Sequence, residues 1–128
     1  MSTWKLETIV EPVPGGAIVT VKGRIGQVTG DRFAEALRRA RREASRLIVD
    51  LTGVDYISGP GVRALLETAD SVEALILCGL GQAVRNTLDL AGVNGRVRIE
   101  ETRAAAIEKM GAGRAGLQAR RGCRGCRG

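Results

Sequence analysis

The sequence predicts one α/β domain in which helices pack on a mixed, mainly parallel β-sheet. Short β-branched runs typical of buried strands alternate with segments whose apolar residues recur at helical spacing. Alternation of this kind produces parallel strands joined by right-handed crossovers. With 128 residues, the chain has room for one hydrophobic core and not for two. The expected order of elements is β-β-α-β-α-β-α-β-α, with about four helices.

An antiparallel hairpin is expected at the beginning of the chain. Two strand-like runs cover Lys5–Val10 and Ala17–Lys22. Between them, residues 11–16 read Glu-Pro-Val-Pro-Gly-Gly, and prolines and glycines favour a chain reversal. The two strands should therefore pair with each other before the first helix begins.

The first predicted helix is amphipathic. Thr29 or the pair Gly30-Asp31 offers a cap, and apolar residues follow at helical spacing. These residues are Phe33, Leu37, Ala40 and Ala44. Four arginines between positions 38 and 42 fall mostly on the other side of the helix. This pattern predicts a solvated basic face, which could also contact an acidic partner.

A buried strand, a polar turn and an abrupt helix start are predicted next. Leu47–Leu51 is a nearly continuous apolar run of the kind found in strands covered on both faces. The polar turn reaches Ser58. Because proline lacks a backbone N–H, Pro60 fits the first helical position, and this makes Gly59 the expected cap with Ser58 just outside it. Apolar residues at helical spacing mark the second helix: Val62, Leu65, Leu66 and Ala69.

The remaining elements repeat this alternation. Ala74–Cys78 has the pattern of a buried strand, and the third helix carries apolar residues at Val84, Leu88 and Ala91 before Gly92 ends it. Val97–Ile99 is the expected last strand. A short final helix, capped by Thr102, should extend to about Met110.

The chain divides into a domain, residues 1–110, and a tail, residues 111–128. The tail holds five arginines and no acidic residue, so it carries most of the formal charge of +6. It consists mainly of Gly, Ala and Arg, with Leu117 as its one sizeable hydrophobe, and is expected to be disordered. The domain itself is close to neutral, and the chain holds one Trp, one Tyr and one Phe, which argues against nucleic-acid binding.

Composition also argues against enzymatic activity and against a membrane span. The chain contains no histidine, the commonest general base and metal ligand near neutral pH. No apolar stretch reaches the roughly 18 to 20 residues of a membrane span, and the amino terminus lacks the apolar run of a signal peptide. The sequence therefore predicts a cytoplasmic protein without a cofactor or a metal.

The stretch from Leu47 to Leu66 resembles the STAS family of anti-sigma-factor antagonists. The family typically has an acidic residue at the end of a strand, a Gly-Val-Asp-Tyr-Ile-like turn, a serine, and a helix start rich in small residues. The matching segments here are Val49-Asp50, Gly53-Val54-Asp55-Tyr56-Ile57, Ser58, Gly61-Val62-Arg63 and Leu65-Leu66. Further similarity lies at Leu77–Leu80 and Leu88–Val93. In all, the resemblance covers about residues 4–110.

The resemblance implies a STAS-like sandwich that binds an anti-sigma factor or a histidine-kinase-like serine kinase. The implied contact residues are Asp55, Tyr56, Ser58, Gly59, Gly61 and Arg63. The loop from Gly23 to Gly30 is expected to assist. Phosphorylation of a serine near this helix start switches binding off in the family, because a phosphoryl group adds about −1.5 to −2 charges. Formation of a homodimer is also compatible with the sequence.

The chain departs from the family at the phosphorylation site. Aligned on Gly61, the acceptor serine of the family falls on Gly59, and Ser58 takes the position before it. Ser58 is therefore the candidate acceptor if the turn shifts by one residue, although Pro60 stiffens the turn. Without an acceptor, the domain would instead be a phosphorylation-independent scaffold, or a subunit of a larger regulatory or transporter-associated assembly.

Other motifs in the sequence are explained more simply by a structural role than by a functional one. Gly79–Val84 half resembles a dinucleotide fingerprint, but Val84 replaces the third glycine and a tight turn explains the segment better. Cys123 and Cys126 have the spacing of a redox pair or half of a zinc site, although an oxidation-prone tail without function is the simpler interpretation. Cys78 is expected to be a small core residue, and Asp50 and Asp55 to be polar strand-end and turn residues.

Overall fold

The computed structural model describes residues 6–110, which form a five-stranded sheet with strands in chain order, β1-β2-β3-β4-β5. The first two strands pair antiparallel, and the other neighbours pair parallel. This arrangement confirms the predicted α/β fold class. The strands are β1 Leu6–Val13, β2 Gly16–Ile25, β3 Arg46–Ile57, β4 Ala74–Cys78 and β5 Arg98–Glu100; the helices are α1 Gly30–Glu43, α2 Gly59–Ser71, α3 Gln82–Leu90 and α4, residues 103–110.

The predicted hairpin is present, and its strands are longer than the sequence indicated. Val13 pairs with Gly16, so only Pro14 and Gly15 remain in the turn. Gly15 has a φ of 94°, a left-handed conformation that glycine adopts without a steric penalty. Pro12 sits within β1, which is an edge strand and tolerates a residue without an N–H.

The hydrophobic core lies on both faces of the sheet because successive strand residues point to opposite sides. One face carries Val19, Val49 and Leu77 and packs against α1, α2 and α3. On the other face, Ala106 and Met110 of α4 pack against a smaller cluster, whose strand members are Ile18, Ile48, Ile76 and Cys78. Within residues 6–110, the domain is therefore a three-layer sandwich, in which α1, α2 and α3 cover one face of the sheet and α4 covers the other.

The predicted polar turn between Leu51 and Ile57 is wrong: this segment is the second half of β3. It continues to pair with β2, up to the partners Ile25 and Ile57, and two register shifts place extra residues in β3. β4 reaches only as far as Asp50 in β3, so the second half of β3 has one neighbour strand. Its exposed polar residues reflect that partial coverage and not a loop.

The structure agrees with the simpler interpretations of Gly79, Gly92 and Cys78. Gly79 has a φ of 72°, and a Cβ there would lie 2.1 Å from Thr52 Oγ1, so a tight turn accounts for it. Gly92, with a φ of 76°, follows the end of α3 as expected. Cys78 is fully buried, and burial, assisted by the Asp50 carboxylate, raises the pKa of its thiol to about 11.

Some predictions lie outside the described residues. They concern Lys5 at the start of the first strand, the tail from residue 111 onward, and the cysteines at positions 123 and 126.

The last described helix begins as predicted. The Thr102 hydroxyl accepts a hydrogen bond of 3.1 Å from the Ala105 N–H and caps α4.

Candidate functional site

The start of α2 is fixed by two backbone hydrogen bonds at Ser58. The Ser58 N–H donates to the Ile25 carbonyl at 2.8 Å, which continues the pairing of β3 with β2. The Ser58 carbonyl accepts from the Val62 N–H at 3.0 Å, which is the first bond of the helix. Ser58 is therefore the cap, and the prediction that Gly59 is the cap is wrong by one residue. Pro60 occupies the second helical position, where its missing N–H is again harmless.

Two glycines of this helix start have different environments. A Cβ at Gly61 would lie 2.6 Å from Ile25 Cγ2 and 2.7 Å from Ile57 Cγ1, so Gly61 lets α2 lie directly on the ends of β2 and β3. A Cβ at Gly59 would meet no atom within 4 Å. Gly59 thus leaves exposed backbone at the amino end of a helix, where N–H groups and the helix dipole make the potential positive.

The Ser58 hydroxyl is not presented to solvent. Its Oγ atom is buried and has no hydrogen-bond partner, and it does not cap the helix. A buried hydroxyl without a partner typically costs about 1–3 kcal/mol. For Ser58 to react with a phosphoryl donor, its side chain would have to rotate out of this position or the first turn of α2 would have to open.

The loop between β2 and α1 packs beside this helix start. Thr29 Oγ1 donates to the Arg24 carbonyl at 2.6 Å and accepts from the Gly26 N–H at 2.8 Å. Thr29 is at the cap position of α1, but its side chain holds the loop instead of capping the helix. A Cβ at Gly30 would lie 2.9 Å from Pro60 Cβ. The loop that was predicted to assist thus contacts the first turn of α2 at Pro60.

Asp55 and Tyr56 are both exposed at the end of β3 and are held by one arginine. Arg24 Nε lies 3.5 Å from Asp55 Oδ1, and the Arg24 guanidinium lies 5.2 Å from the centre of the Tyr56 ring. The sequence predicts that the loop containing Arg24 assists the site, but it does not predict the contacts of Arg24 with Asp55 and Tyr56. The position of Arg24 follows from the β2–β3 register, in which Arg24 is the partner of Tyr56.

An apolar groove of about 470 Å³ adjoins the helix start on the α3 side. Gly59 and Arg63 belong to its lining, so it is continuous with the predicted surface. Leu90, at the end of α3, is 91% exposed. Ala91, expected on the buried face of α3, is exposed as well and lines the groove. The other lining residues are Val62, Leu66 and Thr87.

Asp50 lies away from this surface, on the sheet face covered by α4. Burial alone would raise the pKa of Asp50, but hydrogen bonds from Thr52 and Arg103, together with the Arg103 charge, bring the pKa below its ordinary value of 3.8. Arg103 Nη1 donates to Asp50 Oδ2 at 3.0 Å. This charged and fully bonded carboxylate serves to attach α4.

Residues 6–110 contain no group of three or more Cys, Asp or Glu side chains arranged to hold a metal ion. Within the same range, no helix has both the length and the apolar character needed to cross a membrane. The candidate site at the start of α2 combines the exposed cation of Arg63, exposed backbone at Gly59 and an apolar groove. Such an arrangement is suited to contacts with another protein.

Known proteins resemble this chain in sequence and in fold. The STAS domain model matches residues 7–106. BtrV of Bordetella bronchiseptica, named as a candidate anti-sigma factor antagonist, is 24% identical over 106 residues, which cover 79% of this chain and 91% of BtrV. A CTP synthase of Desulfovibrio desulfuricans is 34% identical over 73 residues, but they span only 13% of that enzyme and 55% of this chain.

Two solved structures show the same fold. An anti-sigma factor antagonist from Mycobacterium paratuberculosis superposes with a TM-score of 0.79 at 22% identity, covering 86% of this chain and 97% of that one. A sulfate transporter family protein from Wolinella succinogenes gives a TM-score of 0.67 at 22% identity, covering 81% and 90%. Since the family model matches most of the domain and the fold agrees, the chain belongs to the STAS domain family.

Proposed function

We propose that this domain is a protein-binding module of the anti-sigma-factor-antagonist type, and that its partner is an anti-sigma factor or a serine kinase. The observation that carries the proposal is the exposed backbone at Gly59, where an added Cβ would meet no atom within 4 Å. A partner can approach this point of the helix start closely, and Gly61 keeps the helix seated on the sheet beneath it. BtrV and the mycobacterial antagonist support the choice of partner class.

The groove beside the helix start extends the proposed contact surface. Interfaces draw most of their binding energy from a few apolar or aromatic anchors in well-packed pockets. Leu90 and Val62 offer such a pocket to an apolar partner side chain, and Arg63, which has no ion-pair partner among residues 6–110, can meet a carboxylate at its rim. In this role the chain itself performs no catalysis, and we place its action in the cytoplasm.

The Ser58 geometry favours binding that is not switched by phosphorylation. The only hydroxyl in the first turn or cap of α2 is that of Ser58, and its Oγ is buried. Intact-mass spectrometry after incubation with ATP and the partner kinase tests this point. The mass should stay unchanged, whereas Gly59→Ser should gain one phosphoryl group, because its hydroxyl would stand in open space. A phosphoryl group on the unmodified chain that Ser58→Ala removes would establish Ser58 as a switch.

The binding proposal is tested by isothermal titration calorimetry against the purified histidine-kinase-like ATPases of the source organism. Gly59→Arg should weaken the one productive interaction at least tenfold, since it blocks close approach without a clash inside the domain. Gly95→Arg is the matched control, because a Cβ at Gly95 also meets no atom within 4 Å. Equal losses in the two variants, or no binding to any of the ATPases, would refute the proposal.

A second candidate function is a subunit of a larger regulatory or transporter-associated assembly, which the fold shared with the Wolinella protein supports. That role predicts association with a membrane protein in place of an ATPase. Binding to ATPases in the calorimetric series would exclude it as the main function.

A further inference from the structure

The apolar groove lined by Gly59, Arg63 and Leu90 is called the α2–α3 groove. A second, separate groove lies between α1 and the edge strand β1. Its volume is about 480 Å³, and Leu6 and Thr8 of β1 form one wall. The small side chain of Ala36 lies between Arg32 and Arg39 along α1 and keeps the middle of the groove open. The lining residues contributed by α1 are Asp31, Arg32, Glu35, Ala36 and Arg39.

The arginines of α1 are not equivalent. Arg38 pairs with Glu35 at 2.9 Å, and Arg41 donates to Ser71 Oγ at 3.2 Å. Arg32 and Arg39 are exposed and have no hydrogen-bond or ion-pair partner within residues 6–110. Glu35 is paired with Arg38, so only Asp31 offsets part of the charge that Arg32 and Arg39 bring to the groove. They are seven residues apart, so their Cα atoms are separated by about 10 Å along the helix axis.

The other wall of the groove has unused backbone hydrogen-bonding groups. Within the described part of the chain, β1 pairs only with β2, so the outer edge of β1 offers N–H and C=O groups to a further strand. Pro12 lacks an N–H and limits such pairing to the region of Leu6–Glu11. A strand added there would point every second side chain toward α1.

We propose that this groove binds an extended acidic segment of a partner protein, added as a strand along β1. Its carboxylates, spaced two residues apart, would face Arg32 and Arg39, while its alternate side chains would face Glu7 and Glu11 on the opposite side of the sheet and would be uncharged or basic. A second copy of this chain is a poor occupant through its own β1, because the side of β1 facing α1 carries Leu6, Thr8, Val10 and Pro12 and no carboxylate. The proposal does not depend on the function of the α2 surface.

The test is a nuclear magnetic resonance titration of the full-length ¹⁵N-labelled chain with the capped peptide Thr-Glu-Thr-Glu-Thr-Glu-Thr. The amide signals of Leu6–Glu11 and of the first three turns of α1 should shift in a saturable manner. Arg39→Glu should weaken binding at least fivefold, and so should raising the salt concentration from 50 to 500 mM. The same peptide with Gln in place of Glu should bind at least fivefold more weakly.

Arg42→Glu is the matched control. Arg42 is on the same helix, is exposed and has no partner within residues 6–110, but it does not line the groove. The proposal is overturned if Arg42→Glu weakens binding as much as Arg39→Glu does, or if the shifts occur elsewhere in the chain. Equal binding of the Gln peptide, or dimerisation through β1 without peptide binding, would overturn it as well.

Discussion

At the scale of single residues, Arg103 makes the contacts that attach α4 to the sheet. Its guanidinium donates to Glu11 at 2.7 Å, to Thr20 at 3.2 Å and to Asp50 at 3.0 Å. These three acceptors belong to β1, β2 and β3. Because the apolar contacts of α4 are few, this one side chain carries much of the attachment of the helix.

Replacing Arg103 should therefore destabilise the domain. Arg103→Met keeps most of the length of the side chain but leaves Asp50 without its charged partner, and hydrogen bonds to charged groups contribute about 1.5–3 kcal/mol each. We expect the free energy of unfolding, measured by urea denaturation, to fall by about 2 kcal/mol. The control is Arg98→Met, whose exposed ion pair with Glu100 should contribute about 0–1 kcal/mol. Equal effects in the two variants would contradict the assigned role.

Asp50 gives the domain a specific dependence on pH. The pKa of Asp50 in the folded domain is below its ordinary value of 3.8, so the carboxylate stabilises the fold above about pH 4. That stabilisation is lost as the pH falls through the lower pKa of the folded state. Between pH 6 and pH 3, the free energy of unfolding should thus decrease more for the unmodified chain than for Asp50→Asn. Identical decreases in urea denaturation would show that Asp50 does not titrate as described.

At the scale of secondary structure elements, the start of α2 shows what a motif predicts and what it leaves open. The sequence placed the helix start correctly to within one residue. The prediction that Gly59 is the cap is wrong, because the cap depends on the hydrogen bond from Ser58 to Ile25, a residue 33 positions earlier in the chain.

The two glycines of this helix start should respond oppositely to alanine. Gly61→Ala should lower the free energy of unfolding by about 1–3 kcal/mol, because the new methyl group would overlap Ile25 and Ile57. Gly59→Ala should leave it unchanged or raise it by up to about 1 kcal/mol, since the site is open and alanine favours helix. Thermal and urea denaturation of the pair measure the contrast. A stable Gly61→Ala variant would mean that α2 is not seated closely on β2 and β3.

Other elements differ from prediction where exposure depends on neighbours in space. The sequence predicts that the third strand ends at Leu51, because a strand with one neighbour carries polar residues that resemble a turn. The sequence-based predictions do not include the α2–α3 groove. Leu90 nevertheless falls outside the spacing of the buried residues Val84 and Leu88 on α3. An apolar residue on the polar side of a helix was the available signal.

At the scale of the whole molecule, the order of strands and helices followed from the sequence because each buried element has its own periodic pattern. The grouping of Asp55, Tyr56, Ser58, Gly59, Gly61 and Arg63 followed from their closeness in the chain. Arg24 and Thr29 lie in the loop that the sequence predicts to assist, but their individual contacts follow from the fold. The fold also places Leu90 beside the helix start. The surface that results lies at one end of the sheet and extends over β2, β3, α2 and α3.

Hydrogen exchange measured by mass spectrometry on the complex tests whether a partner protein binds at the start of α2. The ATPase identified by calorimetry would be added in excess, and amide exchange compared with that of the free chain. We predict slower exchange in residues 55–63, in the loop 26–30 and at the end of α3. Slowed exchange confined to α4 and the sheet face beneath it, with the start of α2 unchanged, would contradict the claim.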